Sequence, residues 1–197
     1  MEVVPLRPDQ LGEAAAVLAR AFQDDPAWSW VIPNPRRRAA LLPWLFKVGF
    51  EVTDADVWTT PGEVRGAARW MPPGRPGLRL GPALVALVTT PLRLRDATTR
   101  FLAYGRAVEN MRTRAAGGPH WYLAGIGVEP ELQRRGIGSA LMQPGLDGAA
   151  RDRLPVVLLT NSEANLPFYR RHGFEVAFEA DEGPAGAPHA WALVRKP

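Results

Sequence analysis

Gln133, Arg134, Arg135, Gly136, Gly138 and Ser139 lie between an apolar run and a helical one, where their types and spacing can do chemistry. Trp121 to Val128 is aromatic and β-branched with few charges, which predicts a buried strand, and Ile137, Leu141, Met142 and Leu146 then recur at helical spacing. The glycines and arginines therefore fall where a helix opens. Unpaired N–H groups at a helix start, backed by the positive end of its dipole, bind phosphate, and glycine lets the backbone approach closely. That chemistry suits a diphosphate.

Spacing separates the readings of this loop. A Walker-type loop needs a lysine before the Ser or Thr that follows its last glycine, whereas Ser139 follows Gly138 with no lysine nearby. A dinucleotide fingerprint needs a small residue where Leu141 stands and an acidic one about twenty positions on, where Val156 and Val157 stand. An ordinary strand-to-helix turn would explain the loop taken alone. The remaining pattern, Gln133-x-x-Gly136-x-Gly138 after Ile126-Gly127-Val128, resembles the coenzyme A loop of the GCN5-related N-acetyltransferases, or GNATs.

A second segment strengthens that resemblance. After the apolar run Val156 to Thr160 comes Asn165-Leu-Pro-Phe168-Tyr169-Arg-Arg-His172-Gly173-Phe174. The family's helix after the fifth strand carries an Asn, a Tyr four residues later and a Gly-Phe ending, as here. Asn165 and Tyr169 are one helical turn apart, so both project from one face, and Gly173 suits the left-handed position that ends a helix. The last eighty or so residues further resemble puromycin N-acetyltransferase-like members: Trp121-Tyr-Leu, the stretch from Leu141 to Gly145, Asn165 to Tyr169, and the Arg-Lys-Pro ending. One departure concerns the fifth strand, where Leu159 stands at a position the resemblance gives to glutamate.

The resemblance implies an α/β GNAT fold: a mixed central sheet of about seven strands flanked by helices, with a helical insertion between strands three and four. It implies acetyl-CoA as cosubstrate. The pantetheine would run beside Ile126, Gly127 and Val128, with Gln133, Arg134, Arg135, Gly136, Ile137, Gly138 and Ser139 around the diphosphate. The Ile126 N–H would polarise the thioester carbonyl, Tyr169 would serve as general acid, and Asn165 would hold the pantetheine or orient its helix. The function implied is direct acetyl transfer to a primary amine of a small molecule, an aminonucleoside or other antibiotic-like amine among the candidates. A protein or peptide N-acetyltransferase and a non-catalytic acyl-CoA sensor remain alternatives.

Composition agrees. The 197 residues, 46% of them hydrophobic, are enough for one core, so residues 1–197 are expected to form a single domain. The chain has no cysteine, which excludes disulfides, thiolate metal sites and a cysteine nucleophile and favours direct transfer. Three scattered histidines offer no metal-ligand spacing, so no metal is expected. The 24 basic and 20 acidic residues leave a charge of +4, dispersed rather than clustered; no nucleic-acid partner is expected. The clusters Arg36-Arg37-Arg38 and Arg93 to Arg100 predict solvated helix faces. The apolar window Ala83 to Val88 is too short to cross a bilayer, and the N-terminus shows no secretion pattern, so a cytoplasmic protein with no membrane partner is expected, a monomer or homodimer.

The elements that must position these residues alternate. Val3 to Arg7 predicts strand one, and Asp9 a cap for a helix carried by Leu11, Ala15, Leu18 and Phe22 to Gln23. Asp24-Asp25-Pro26 breaks it. A second helix is expected over Pro35 to Phe50, then a hairpin of Asp56 to Thr60 and Gly66 to Met71. Residues 72–118 predict the insertion near the acceptor cleft, a short apolar helix and a longer one from about Leu92 to Arg114. Phe101, Tyr104, Val108 and Met111 on that helix are expected mostly to pack inward. Strands from Phe174 and Ala190 follow, around a hairpin loop from Asp181 to Pro188.

Three further positions are candidates for the acceptor. Asp24, Asp25 and Trp30 would suit a bulky cationic amine through carboxylates and a ring face, and either aspartate can serve as base through water, as can a backbone carbonyl. His120 is expected at a turn, His172 at a helix end, and His189 without a partner.

Overall fold

A computed structural model describes residues 1–75, 78–180 and 185–197. The first half contains β1 (Val4–Pro5), α1 (Leu11–Ala21), α2 (Pro26–Val31), α3 (Pro35–Val52), β2 (Asp56–Thr59) and β3 (Gly66–Met71). Two helices, α4 (Leu80–Leu94) and α5 (Thr98–Ala116), then lead to β4 (Trp121–Val128), α6 (Ile137–Asp152), β5 (Val156–Thr160), α7 (Leu166–Arg171), β6 (Glu175–Ala180) and β7 (Ala190–Arg195). The seven strands form one sheet in the order β1-β2-β3-β4-β5-β7-β6. All neighbours pair antiparallel except β4 and β5, which run parallel. The mixed α/β sheet expected from the sequence is present.

The two sheet faces bury different sets. Beneath α6 and α7, Trp70, Trp121, Leu141, Met142, Leu158 and Phe174 form the largest cluster. On the other face, α1 and α3 close over Val17, Leu18, Phe50 and Ala67. Two tryptophans dictate the composition of α6. A Cβ added at Gly145 would lie 2.1 Å from the Trp70 ring, and one at Gly148 2.5 Å from Trp121. Both rings are also pinned by their N–H groups: Trp70 Nε1 donates to the Leu141 carbonyl at 3.3 Å, and Trp121 Nε1 to Asp152 Oδ2 at 2.8 Å. Helix propensity is surrendered at two positions so that two indoles can lie flat under the helix.

Local chemistry corrects several expectations. Asp9 does not cap α1; it sits in a preceding 3₁₀ turn, Pro8–Gln10, and its carboxylate accepts from Arg7 Nε at 3.1 Å. Asp25 instead caps α2, a helix the sequence reading left out: its Oδ1 accepts from the amides of Ala27 at 2.9 Å and Trp28 at 3.2 Å. The long helix begins at Thr98 rather than Leu92, because α4 continues through Pro91 to Leu94 and Arg95, at φ 50°, turns the chain. Of α4, Leu80, Leu84, Leu87 and Leu92 stand exposed. Within the expected hairpin loop, residues 181–184 lie outside the described residues, as do Pro76 and Gly77 of the expected insertion.

Arg38 is the plainest correction to the expected solvated face. It is 5% exposed, and its Nη1 donates to the carbonyls of Ile32 at 2.8 Å and Pro33 at 3.3 Å while Nε donates to that of Gln23. One guanidinium thereby satisfies the carbonyls left open where α1 gives way to α2 and α2 to α3.

The flat seat under α6 predicts that Gly145→Val lowers stability by about 1–3 kcal/mol through overpacking. That corresponds to about 2–4 °C of Tm per kcal/mol for a chain of this length, read by thermal denaturation.

Candidate active site

The loop between β4 and α6 is shaped by two residues of opposite freedom. Gln133 is extended, Arg134 adopts φ 60°, and Gly136 adopts φ 85° as the residue before the helix. At Gly136 an added Cβ would meet nothing within 4 Å, so the backbone conformation and not crowding demands glycine there. The first intrahelical bond runs from the Ala140 amide to the Gly136 carbonyl at 3.0 Å, so the amides of Ile137, Gly138 and Ser139 precede the helical ladder. Gln133 Nε2 donates to the Val128 carbonyl at 3.3 Å, tying the loop to the strand it leaves. Arg20 of α1 grips Glu129 at the same corner, Nε to Oε2 2.9 Å.

Pairing between β4 and β5 covers only Trp121–Leu123 against Val156–Leu158, whereas β4 pairs with β3 as far as Val128. A bulge between Arg69 and Trp70, opposite Leu123 and Gly125, marks the point of divergence. Beyond it the strands separate around a cleft of about 1040 Å³. Ile126, Gly127 and Val128 line one wall, and Asn165 and Tyr169 the other. Gln133, Arg134, Gly136, Gly138 and Ser139 line its end, and Asp24 and Asp25 its rim.

The side chains of three expected residues lie outside the lining of this cleft. Ile137 is 4% exposed in the core beneath the sheet, where a strand-to-helix turn needs an apolar anchor. Arg135 faces the outer side of α6 with Gln143 and Asp147. Trp30 lies outside the cleft: it packs on the α2, α3 and α5 cluster with the Arg100 guanidinium 5.7 Å from its ring. The other aromatic of α2, Trp28, stacks with Phe101 and meets the edge of Phe46.

Burial works against charge on groups in and beside the cleft. Burial pushes the Tyr169 phenol well above its ordinary value, and the Asp25 carboxylate and Tyr122 nearby push the same way. Tyr104 is raised by burial and then by Asp25, against its hydrogen bond to Asn161. Burial raises Asp25 above the usual carboxylate range, partly offset by its hydrogen bonds from the Trp28 and Ala27 amides. A carboxylate that holds its proton more tightly, beside a neutral phenol, is a pair suited to acid–base work. Asp24 differs: its side chain is 92% exposed and 3.6 Å from Arg38.

The structure also shows residues the sequence reading missed. Asn161, at the end of β5, accepts from the Tyr104 hydroxyl of α5 and donates through Nδ2 to the His189 carbonyl at 2.9 Å and the Pro188 carbonyl at 3.4 Å. It clamps α5 to the segment before β7. Leu159 packs against Met111 of α5 with Ala190 and Ala192, so that part of the fifth strand presents an apolar side chain. His120 accepts or donates at a turn with the Gly118 carbonyl and Arg112, His172 bonds the Phe168 carbonyl, and His189 meets Glu179 at 3.4 Å, a partner not foreseen. Among the described residues no group of three His, Asp or Glu could hold a metal ion, and no helix is long and apolar enough to cross a membrane.

Residues 97–176, from the turn before α5 into β6, match the family model of an acetyltransferase (GNAT) domain. Over that segment the chain is similar to GNAT acetyltransferases. The match includes the whole loop and the Asn165–Tyr169 turn. Solved structures share the fold over the full length. One is described as histone acetyltransferase HPA2 and related acetyltransferase from Corynebacterium glutamicum, 23% identical, covering 99% of this chain and 95% of its own, TM-score 0.65. A ribosomal-protein-alanine N-acetyltransferase from Brucella melitensis is 15% identical, with 100% of both chains covered and TM-score 0.57. An agmatine N-acetyltransferase in its apo form is 15% identical, again with 100% of both covered and TM-score 0.59. The match over residues 97–176 supports an acetyl-CoA-dependent N-acetyltransferase, and the solved structures show the shared fold.

Asp25→Asn keeps an oxygen that can cap α2 and removes the buried charge. Because the folded state binds the Asp25 proton more tightly than the unfolded chain, its contribution to stability falls as pH rises from 3.8 toward its higher folded value. Above that window the charged form is a penalty in the native protein. Asp25→Asn is therefore expected to match or exceed the wild-type Tm near neutral pH, with the advantage vanishing in acid, in melts recorded across that range.

Proposed function

We propose that this chain transfers an acetyl group from acetyl-CoA directly to a primary amine of a small molecule. The observation that carries the reading is the cleft made where β4 and β5 part, with the open edge of β4 on one side and the Tyr169 phenol on the other. Extended ligands pair with exposed strand edges through main-chain hydrogen bonds, which suits a pantetheine arm beside Ile126, Gly127 and Val128. The amides of Ile137, Gly138 and Ser139, with Gly136 allowing close approach and Arg134 adding charge, suit the diphosphate.

Acetyl-CoA supplies an activated acyl group on a good leaving thiol. The Ile126 N–H would hold the carbonyl oxygen as negative charge develops, a kind of contact worth about 3–4 kcal/mol when preorganised. Tyr169 keeps its proton at every physiological pH and would deliver it to the departing sulfur. Asp25, buried and raised, is the proposed acceptor of the amine proton, directly or through water; Asp24, exposed and beside Arg38, is left to a structural part. Leu159 takes no proton, which moves the base from the fifth strand to the start of α2. Asn165 lines the cleft with its Nδ2 3.5 Å from Thr160 Oγ1 and would steady the pantetheine wall.

Small acceptors suit a cleft of about 1040 Å³ with Asp24, Asp25 and Pro26 at its rim. The likeness to puromycin N-acetyltransferase-like members places aminonucleosides and other antibiotic-like amines in the first panel to test.

Tyr169→Phe is expected to lower kcat by about 100-fold to 10,000-fold. Stabilisation by acetyl-CoA should stay close to wild type; an unchanged rate of thiol release would remove the phenol from the mechanism. Gly136→Glu places bulk and a negative charge among the amides at a position that requires φ 85°. At one hundred times Kd a ligand stabilises the native state by about 2.7 kcal/mol, and this variant is expected to lose most of that gain with acetyl-CoA in a thermal-shift assay.

A further inference from the structure

Arg69 stands on β3 with Gly125 of β4 as its register partner, beside the bulge and one residue from Ile126. Adjacent strands lie about 4.8 Å apart, so the base of this side chain is next to the proposed acyl site. Its neighbour Trp70 points under α6, and Arg69 points the other way, toward α3. There the helix offers Gly49: a Cβ at that position would lie 2.8 Å from Arg69 Nη1, so α3 has room for the guanidinium only because a glycine stands there.

Buried guanidinium groups in this protein are otherwise well supplied. Arg38 has three carbonyl partners and Asp24. Arg69 has neither a hydrogen bond nor an ion pair among the described residues, although protein surrounds it closely enough that burial lowers its pKa. Its nitrogens are still reached by water, since no buried side-chain nitrogen is left without a partner. The one group acting on it electrostatically is Tyr122, whose phenol burial pushes up to about 12 and which therefore offers no charge. The carboxylate near Tyr122, Glu109, is engaged by Arg112, Nε to Oε2 3.0 Å, and Arg112 itself stands 5.2 Å over the Tyr122 ring. A cation in a fitted hollow, with the neighbouring carboxylate Glu109 already engaged by Arg112, is free to receive an anion, and the guanidinium fork matches a carboxylate.

We infer that the acceptor bears a carboxylate as well as its amine, and that Arg69 receives that carboxylate while the nitrogen faces the acyl group. This rests on the acetyltransferase reading above and narrows it: amines lacking an anionic group are poorer acceptors, aminonucleosides included.

The test measures coenzyme A release from acetyl-CoA with L-phenylalanine, β-alanine and 6-aminohexanoate, each against its neutral amide, in wild type, Arg69→Gln and Arg69→Lys. At least one acid is expected to exceed its amide about tenfold in kcat/KM. Arg69→Gln should erase that preference through KM with kcat little changed, and Arg69→Lys should restore part of it. If no acid outperforms its amide, including the case in which neither is turned over, the inference is overturned without any variant. Equal losses for acid and amide in Arg69→Gln also overturn it, because they show a structural role alone. Thermal stabilisation of wild type by acetyl-CoA, measured in the same samples, separates the levels: if it is absent, the acetyltransferase reading falls and this inference falls with it.

Discussion

Parallel strands that start in register and then diverge leave main-chain donors and acceptors facing open space in the middle of a sheet. Such groups are normally paired, and leaving them open in an interior costs on the order of 1–3 kcal/mol each unless water or a ligand meets them. Here β4 leaves β5 after Leu123, and much of the remaining structure serves to hold that gap. The far edge of β4 stays paired with β3 to Val128, so the strand keeps its shape while one side is free. Phe168 of α7 packs where a Cβ on Gly138 would approach within 3.4 Å, which joins the two helices that flank the opening. Tyr169 fills the space between the separated strands and still lines the cleft.

The electrostatics follow from the same gap. Burial keeps the Tyr169 and Tyr104 phenols protonated and raises the Asp25 pKa, so phenols that hold their protons stand near a carboxylate made more basic. In water these groups would differ little from free side chains. The placement of Asp25 at a helix start is part of this: two backbone amides hold its carboxylate in place while burial works against its charge.

The parts of the site readable in the sequence are those fixed by local chemistry. Gly136 needs a positive φ, Gly173 ends a helix, and the apolar periods before and after the loop define the strand and helix that present it; each is settled within a few residues. The strands and their order of appearance were legible for the same reason, as was the hairpin of β2 and β3. What escaped depends on partners far along the chain. Nothing in Arg36-Arg37-Arg38 reveals that the third arginine turns inward to meet carbonyls of Gln23 and Ile32. Gly145 and Gly148 read as weak helix positions until the indoles of Trp70 and Trp121 are found beneath them. Arg69 shows in the sequence only as one charge in an apolar strand.

Asn161 joins α5 to the chain just before β7 through a single carboxamide, taking a hydroxyl proton from one side and giving its own hydrogens to the other. Displacing either partner breaks its hydrogen bonds to this residue, so both are held to the end of β5. A joint made of one carboxamide ties the lie of that helix to the lie of the last strand, so any change of the amide is felt on both sides of it.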